Sequence, residues 1–276
     1  MDLDLVLSHD AGNQAFPNQL DGQDKNIKGS LESPKKTFLS CIVVHELLSP
    51  EKWKAAITQL VSTACLLFTL ITMVTACLES HVAEPKLLVP VVVFSTIFLL
   101  LVLTIPVSGG HMNPTFTFIF ALKGAITFVR ALVYILAQCL GSTMANLIVK
   151  RAMNPKIAEK YSLGSCSVGG NGEGISAGTA LAIEFACTFL VLYFSISVAF
   201  DKERCKQLGL TMFCVIVSGI FAVAYFISLT ITGQVGYGGA RLNPARCIGP
   251  AVLVGGSLWQ SLWVVWVGPF CASIVL

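Results

Sequence analysis

Six long apolar segments, separated by short polar stretches, dominate the chain after residue 50. We place them at about 54–78, 87–106, 126–149, 178–200, 208–231 and 258–276. A helix needs about 20 apolar residues to cross the hydrocarbon core of a bilayer, and each segment comes close to that length. The pattern predicts an all-α membrane protein with six transmembrane helices.

The composition agrees with this pattern. Of the 276 residues, 55% are hydrophobic and only 12% are charged, and the mean hydropathy is +0.77. A soluble domain carries roughly 25% charged residues. The formal net charge of +3 is too small to indicate a nucleic-acid partner.

The first 50 residues have a different character from the rest. They are polar up to Lys36, without the apolar core of a signal peptide, and are predicted to be a mostly disordered tail. A short apolar patch, Phe38 to Leu48, is expected at the membrane surface. The chain therefore divides into a tail at 1–50 and a membrane domain at 51–276.

Two short polar stretches within the membrane domain repeat each other. Ser108 to Thr115 contains Asn113-Pro114, and Gly238 to Cys247 contains Asn243-Pro244, 130 residues later (243 − 113). The repeat extends further, because Gln59 aligns with Glu184. The two copies, at about 54–149 and 178–276, each hold three spans. An odd number of spans inserts the second copy with opposite topology, and inverted repeats place a functional site at their interface.

The Asn-Pro pairs are predicted to start helices, since asparagine is a good N-cap and proline is accepted at the first helical position. The segments that follow, 115–122 and 245–254, are too short to cross a bilayer and are expected to be re-entrant half-helices. Their N-termini would meet at the centre, where positive dipole ends repel cations. The backbone carbonyls before each pair are predicted to line a pore, namely those of Gly109, Gly110, His111, Gly239 and Arg241.

Basic residues indicate the orientation. The tail to Lys54 holds six Lys or Arg and the link Asp201 to Gln207 holds three, whereas the first loop between spans holds only Lys86. Both termini are therefore expected in the cytoplasm. The link after the third span does not fit this orientation, because it holds four basic residues from Lys150 to Lys160.

These motifs resemble the major intrinsic protein family, the aquaporins and aquaglyceroporins, over residues 54–276. The second motif, Asn243-Pro244-Ala245, matches the family and is followed by its arginine, Arg246, whereas the first motif has Thr115 in the alanine place. The runs Ala137 to Gly141 and Trp263 to Pro269 are also similar. Cys247 after the arginine, with the altered first motif, most resembles the X intrinsic proteins, a plant and fungal subgroup.

The resemblance implies a right-handed six-span bundle with two half-helices, assembled as a homotetramer or as a heterotetramer with related subunits. It implies a passive channel for small uncharged solutes of the glycerol, urea, boric acid and hydrogen peroxide class, located in the plasma membrane. Nothing in the sequence resembles a nucleophile–base pair, a phosphate-binding loop or a metal cluster, so we expect no enzymatic activity, no cofactor and no metal.

The family's selectivity filter has four positions, which we assign to Val93, Ile231, Ala240 and Arg246. The second position is uncertain by one residue, since the loop 232–238 has room for an insertion. Aliphatic walls facing one arginine favour a solute with carbon on one side and hydroxyls on the other, rather than strict water selectivity. A water- and peroxide-selective pore is the alternative.

Other polar residues have more than one interpretation. Gln59 and Glu184 are expected to anchor the two loops by hydrogen bonds, with a proton relay at Glu184 as the alternative. The Arg241 side chain is expected to face solvent, since entry into the pore would narrow it. Cys247 is expected to be a packed small residue. A reactive thiol at the outer mouth and a bridge to Cys166 remain the alternatives.

Two further functions remain open. The last span ends at Leu276, which leaves a truncated, non-conducting regulatory subunit as an alternative. A coupled transporter would need titratable residues at the repeat interface, where the sequence offers Glu184 alone.

Overall fold

The computed structural model describes residues 49–80, 84–164, 166, 168–170, 173–231 and 238–276. The predicted disordered tail, except its last two residues, and the apolar patch Phe38 to Leu48 lie outside the described residues. Most of the loop 232–238 also lies outside them.

Helices make up nearly all of the described chain, and six of them are long and apolar enough to cross a membrane, as predicted. Their apolar runs end at polar or Gly/Pro-containing stretches, which are poor helix formers. A single turn of 3₁₀ helix at Pro85–Leu87 precedes the second span, and a two-residue strand pair, β1 (Gly169–Gly170) and β2 (Glu173–Gly174), precedes the fourth. In chain order the helices are α1 (Pro50–Glu79), α2 (Leu88–Ser108), α3 (Pro114–Leu122), α4 (Phe128–Ala152), α5 (Pro155–Lys160), α6 (Ala177–Ala199), α7 (Lys202–Thr230), α8 (Pro244–Val254), α9 (Ser257–Gln260) and α10 (Leu262–Val275).

The predicted link before the fifth span is itself helical. Helix α7 begins at Lys202, and the Asp201 side chain caps it by accepting a hydrogen bond from the Arg204 N–H. Gly209 interrupts the helix with a φ of 68°, a conformation that glycine adopts without steric cost. The apolar part of the fifth span therefore starts after this glycine, close to the predicted start at residue 208.

The half-helices begin at the predicted prolines. Helix α3 has 9 residues and α8 has 11, so at 1.5 Å per residue they are about 14 and 17 Å long. Each begins inside the bundle and ends at its surface, where the last residues of α3 and α8, Leu122 and Val254, are exposed.

Helix packing follows the repeat. In the first copy α1 packs on α2 and α4, and in the second copy α6 packs on α7 and α10. The half-helices also join the two copies, because α3 packs on both α4 and α10, and α8 packs on α4 more than on α10. This pairing is what two copies inserted in opposite directions produce, and it brings α3 and α8 together at the centre.

Glycines allow the closest helix crossings. A Cβ on Gly141 of α4 would lie 2.3 Å from the Leu60 carbonyl oxygen of α1. At the corresponding crossing in the second copy, a Cβ on Gly268 of α10 would lie 2.9 Å from Cβ of Glu184 in α6. Small residues let membrane helices approach until their backbones touch, and here they bring the anchoring side chains of α1 and α6 into the interior.

The outer surface of the bundle is apolar. Leu103 is 69% exposed and Ile274 is 67% exposed, and many other large apolar side chains also face outwards. In a chain with six membrane-length helices this surface is suited to lipid or to neighbouring subunits.

Candidate functional site

A cavity crosses the bundle between the two copies of the repeat. Its wall includes Val74, near the C-terminus of α1, and Ala199, the last residue of α6. These helices run in opposite directions, so the two residues mark opposite ends of the bundle. About half of the wall is formed by one stripe from each of three helices, namely Leu66, Leu67, Leu70 and Val74 of α1, Val93, Ile97, Leu101 and Ile105 of α2, and Phe213, Val217, Phe221 and Tyr225 of α7.

The two Asn-Pro motifs meet in the middle of this cavity. Asn113 caps α3, its Oδ1 accepting from the Thr115 N–H at 2.9 Å, and Asn243 caps α8 by accepting from the Ala245 N–H at 3.0 Å. Pro114 and Pro244 occupy the first helical positions. Because each Oδ1 is committed to its cap, each Nδ2 points away from its own helix. Both asparagines line the cavity.

Each asparagine also holds the opposite loop. Asn113 Nδ2 donates to the Leu242 carbonyl at 2.8 Å, and Asn243 Nδ2 donates to the Met112 carbonyl at 2.9 Å. Met112 and Leu242 have φ values of 46° and 59°, left-handed conformations that non-glycine residues rarely adopt. The strain is matched in the two copies and turns both carbonyls towards the opposite asparagine.

The predicted carbonyl acceptors are only partly available to the cavity. Gly109, Gly110, His111 and Arg241 belong to its wall. The Gly239 carbonyl instead accepts a hydrogen bond from Nη1 of Arg241. The second loop therefore offers fewer acceptors than the first.

Gln59 is hydrogen-bonded to the first loop. Its Oε1 accepts from the Met112 N–H at 2.8 Å, and its Nε2 donates to the Ser108 carbonyl at 3.1 Å and to Ser108 Oγ at 3.0 Å. Gln138 of α4 adds a link that the sequence did not predict, donating to Gln59 Oε1 and to Thr117 Oγ1, both at 2.9 Å. The sequence signal that could have indicated this link is a glutamine within an apolar span.

Glu184 is hydrogen-bonded to the second loop in the corresponding way. Its two carboxylate oxygens accept from the Arg241 N–H at 2.7 Å and the Leu242 N–H at 3.1 Å. The two copies differ in one respect, because a carboxylate accepts two backbone N–H groups, whereas the Gln59 amide accepts at one end and donates at the other. Both side chains are buried, Gln59 at 0% and Glu184 at 2% exposure.

Arg246 forms one end of the cavity together with Tyr225. The guanidinium carbon of Arg246 lies 5.6 Å from the centre of the Tyr225 ring, and both residues line the cavity. The Tyr225 hydroxyl donates to the Gly238 carbonyl at 2.9 Å, which fixes the ring. Val93, in the second turn of α2, lies at the same end because α2 and α7 run in opposite directions. We call this end the Arg246 mouth.

The assignment of Ile231 as the second wall position is wrong. Its side chain is 66% exposed and is not among the described residues that line the cavity. The stripe of α7 that lines the cavity ends at Tyr225, six residues earlier (231 − 225), although the helix itself continues to Thr230. Ala240 is fully buried behind the wall, where its N–H donates to Ser228 Oγ at 2.7 Å.

The prediction that the Arg241 side chain faces solvent is also wrong. The residue is 3% exposed and lies in the cavity wall. Two interactions explain the inward position, namely the hydrogen bond to Gly239 and the nearby Glu184 carboxylate, which offset part of the cost of burying the charge. The interior therefore holds a second guanidinium besides Arg246.

Cys247 is neither a free packed residue nor a reactive thiol. It forms a disulfide with Cys166, with a Cα–Cα distance of 5.6 Å across 81 residues of sequence. Both cysteines are almost fully buried, against Ala251, Leu258 and Val265. The bridge was the alternative that the sequence favoured least, since spacing alone does not reveal Cα–Cα geometry.

Two of the four basic residues after the third span, Lys150 and Lys160, have hydrogen-bond partners. Lys150 Nζ donates to the Leu253 carbonyl at 3.0 Å, in the last turn of α8, where a cation interacts favourably with the helix dipole. Lys160 Nζ and the Tyr161 hydroxyl both contact Glu79 Oε1 at 2.6 Å. The hydrogen bond to Glu79 raises the pKa of Lys160 above its ordinary value.

Comparison with known proteins gives consistent matches. The model of the family described as Major intrinsic protein matches residues 46–275. Aquaporin PIP2-7 of Musa acuminata is 30% identical over 265 residues, which cover 92% of this chain and 88% of that protein. Aquaporin-4 of Bos taurus is 33% identical over 230 residues, which cover 81% and 65%.

Some matches are partial. Aquaporin PIP2-5 of Oryza sativa subsp. japonica is 33% identical over 182 residues, so the alignment spans 60% of its length. Among solved structures, the X-ray structure of the aquaglyceroporin from Plasmodium falciparum matches with a TM-score of 0.67 and 19% identity, covering 81% of this chain and 93% of that one. At this identity the structural match shows the shared fold.

Proposed function

The chain belongs to the major intrinsic protein family, and from this premise we propose that it is a passive membrane channel for small uncharged solutes, of the glycerol, urea, boric acid and hydrogen peroxide class. The observation that carries the proposal is the meeting of Asn113 and Asn243 inside a cavity that reaches from one end of the bundle to the other. The members of this family are channels and not enzymes.

The chemistry of the cavity supports neutral solutes. Three apolar stripes offer no partner for an ion, and the positive ends of α3 and α8 meet at the centre. Each asparagine Nδ2 has one N–H committed to the opposite loop, which leaves a second N–H for a passing hydroxyl or carbonyl oxygen. A cation is repelled there, whereas a neutral acceptor is bound.

The Arg246 mouth supports selection for solutes with one apolar and one polar side. Val93 and the Tyr225 ring provide apolar surface, and Arg246 provides hydrogen-bond donors. We assign the filter to Val93, Tyr225 and Arg246, with Ala240 behind the wall. The run Asn243 to Cys247, with Thr115 in the first motif, supports placing the chain among the X intrinsic proteins.

A water- and peroxide-selective pore is the second candidate. Tyr225 in place of an aliphatic side chain, together with the inward Arg241, narrows the passage beyond what the sequence predicted. The smaller the opening, the more it favours water and peroxide over glycerol.

Stopped-flow light scattering on proteoliposomes separates the two candidates. Reconstituted protein is exposed to gradients of an impermeant sugar, glycerol and urea, and peroxide entry is followed with an enclosed dye. We expect glycerol and urea flux well above that of empty liposomes. Water and peroxide flux alone would establish the second candidate, and no flux of any solute, with protein confirmed in the bilayer, would contradict both.

We further propose cytoplasmic termini and a plasma-membrane location. The disulfide supports this orientation, because Cys166 and Cys247 would face the oxidising exterior, where disulfides persist. Assembly as a homotetramer, or as a heterotetramer with related subunits, would bury part of the exposed apolar surface. Cross-linking in native membranes tests the assembly, and protease access to the N-terminal tail in sealed vesicles tests the orientation.

A further inference from the structure

A segment of chain that begins at the last residue of α5 contacts Arg246 at the Arg246 mouth. We call residues 160–164, 166 and 168 the strap. One end is held by Lys160 and Tyr161, which both contact Glu79 at the end of α1. At the other end the buried Val168 packs with Ala180 and Val264. The strap is therefore fixed to both copies of the repeat.

The middle of the strap touches the arginine directly. The Gly164 carbonyl accepts a hydrogen bond from Arg246 Nη2 at 3.2 Å. Gly164 has a φ of 99°, and a Cβ there would lie 2.9 Å from Ile71 Cγ1, so the carbonyl sits where the strap is pressed against α1. Leu163, 3% exposed, packs into the same cluster as Leu67 and Ile71.

The disulfide joins the same two segments close to this hydrogen bond. Cys166 lies two residues after Gly164, and Cys247 follows Arg246 in the first turn of α8. The covalent bond and the hydrogen bond thus connect the strap to α8 side by side. A hydrogen bond alone between a loop and a long flexible side chain must offset the entropy of ordering both, whereas the cross-link removes most of that freedom beforehand.

We propose that the Cys166–Cys247 disulfide is a positioning element for Arg246. It holds the Gly164 carbonyl beside the guanidinium, so that Arg246 stays against the Tyr225 ring instead of moving into the passage. This inference rests on the proposed function, since it assigns a selectivity role to the arginine of that channel. Cys166 and Cys247 act through Arg246 and do not touch the solute.

The test compares Cys166→Ala, Cys247→Ala and the double variant, with Cys214→Ala as the matched control. Cys214 is buried and free and does not line the described cavity. The first readout is the ratio of glycerol to water permeability in proteoliposomes. The second, which needs no flux, is the rate at which phenylglyoxal modifies Arg246, followed by peptide mass spectrometry.

We expect both single variants and the double variant to change the permeability ratio by the same factor, about tenfold, which corresponds to losing one hydrogen bond to a charged group. Arg246 should react with phenylglyoxal faster by a similar factor, and Cys214→Ala should leave both readouts unchanged. In an Arg246→Val background, Cys166→Ala should produce no further change in the ratio.

Three results would overturn the proposal. Effects of the single variants that add in the double variant would show two separate packing roles. A lower thermal stability with an unchanged ratio and an unchanged phenylglyoxal rate would show a cross-link without a positioning role. A change in ratio that persists without Arg246 would show that the disulfide acts on another residue. If the wild-type protein passes no solute, the proposed function fails, and the phenylglyoxal rate still decides whether the disulfide positions Arg246.

Discussion

Asn113 and Asn243 bind each other's loops reciprocally, each donating from Nδ2 to the carbonyl of the residue that precedes the other, at 2.8 and 2.9 Å. The same side chains cap α3 and α8 through Oδ1. Each asparagine therefore has one oxygen for its own helix and one N–H for the opposite loop. Neither half-helix can shift without breaking a bond in both copies of the repeat.

This arrangement predicts that Asn113→Ala abolishes most of the flux, and that Asn243→Ala does the same. Each change removes a helix cap, which costs about 1 kcal/mol, and also releases the opposite carbonyl inside the cavity. Stopped-flow measurements on equal amounts of reconstituted protein check the prediction.

A matched control separates the cap from the cross-loop bond. Asn154 caps α5 by accepting from the Lys156 N–H at 3.0 Å, and it lies on the exposed surface. The Asn154→Ala variant should lose the cap of α5 but conduct solute as fast as the wild-type protein. Full flux through Asn113→Ala would show that the cross-loop bond has no part in conduction.

The position of Tyr225 predicts a change of selectivity on substitution. Tyr225→Ile removes the ring that faces Arg246 and widens the mouth, so glycerol permeability should rise relative to water permeability by about tenfold. Ile231→Ala, on the exposed residue that the sequence favoured, should leave the ratio unchanged. The ratio is measured in the same proteoliposomes for both variants. A larger effect at Ile231 would restore the original assignment.

The fold was predictable because its signals are local and repeated. Hydropathy located six spans to within a few residues, apart from the helical turns that precede Gly209. Asn-Pro chemistry located the starts of both half-helices, since capping depends on a few neighbouring residues. The alignment of Gln59 with Glu184 correctly anticipated two loop contacts, which the inverted repeat requires.

The errors in the site arose where the answer depends on distant geometry. Counting back from Asn243 reached the end of α7, whereas the last residue of that helix to line the cavity is Tyr225, six residues before Ile231. The direction of Arg241 depends on Glu184, which is 57 residues away in sequence. The disulfide depends on where the strap crosses α8. Neither the periodicity nor the composition of the sequence predicts any of these three features.

The difference between Gln59 and Glu184 predicts a graded response. Gln59→Leu removes the acceptor for the Met112 N–H and for Gln138, and each buried polar group left unpaired costs about 1–3 kcal/mol. Gln59→Glu keeps both acceptors and loses the donor to the Ser108 carbonyl, while the Ser108 hydroxyl can still donate to it. We therefore expect the unfolding temperature in detergent to fall strongly for Gln59→Leu and weakly for Gln59→Glu.

Gln260→Leu is the control for this pair, because it makes the same change on an exposed residue of α9. Its unfolding temperature should match that of the wild-type protein. Equal destabilisation by Gln59→Leu and Gln59→Glu would indicate that the acceptor oxygen is not what holds the first loop.

The crossing of α1 and α4 predicts opposite effects of the same substitution at two helical glycines. At Gly141 a Cβ would lie 2.3 Å from the Leu60 carbonyl oxygen, and overpacking of this kind typically costs about 1–3 kcal/mol. At Gly219 of α7 a Cβ meets nothing within 4 Å, and alanine is favoured over glycine inside a helix by about 1 kcal/mol. Gly141→Ala should therefore lower the unfolding temperature, and Gly219→Ala should leave it unchanged or raise it. Both are measured in one detergent with the same preparation. A stable Gly141→Ala protein would show that α1 and α4 can separate without loss, since backbone atoms and not a flexible side chain occupy the space.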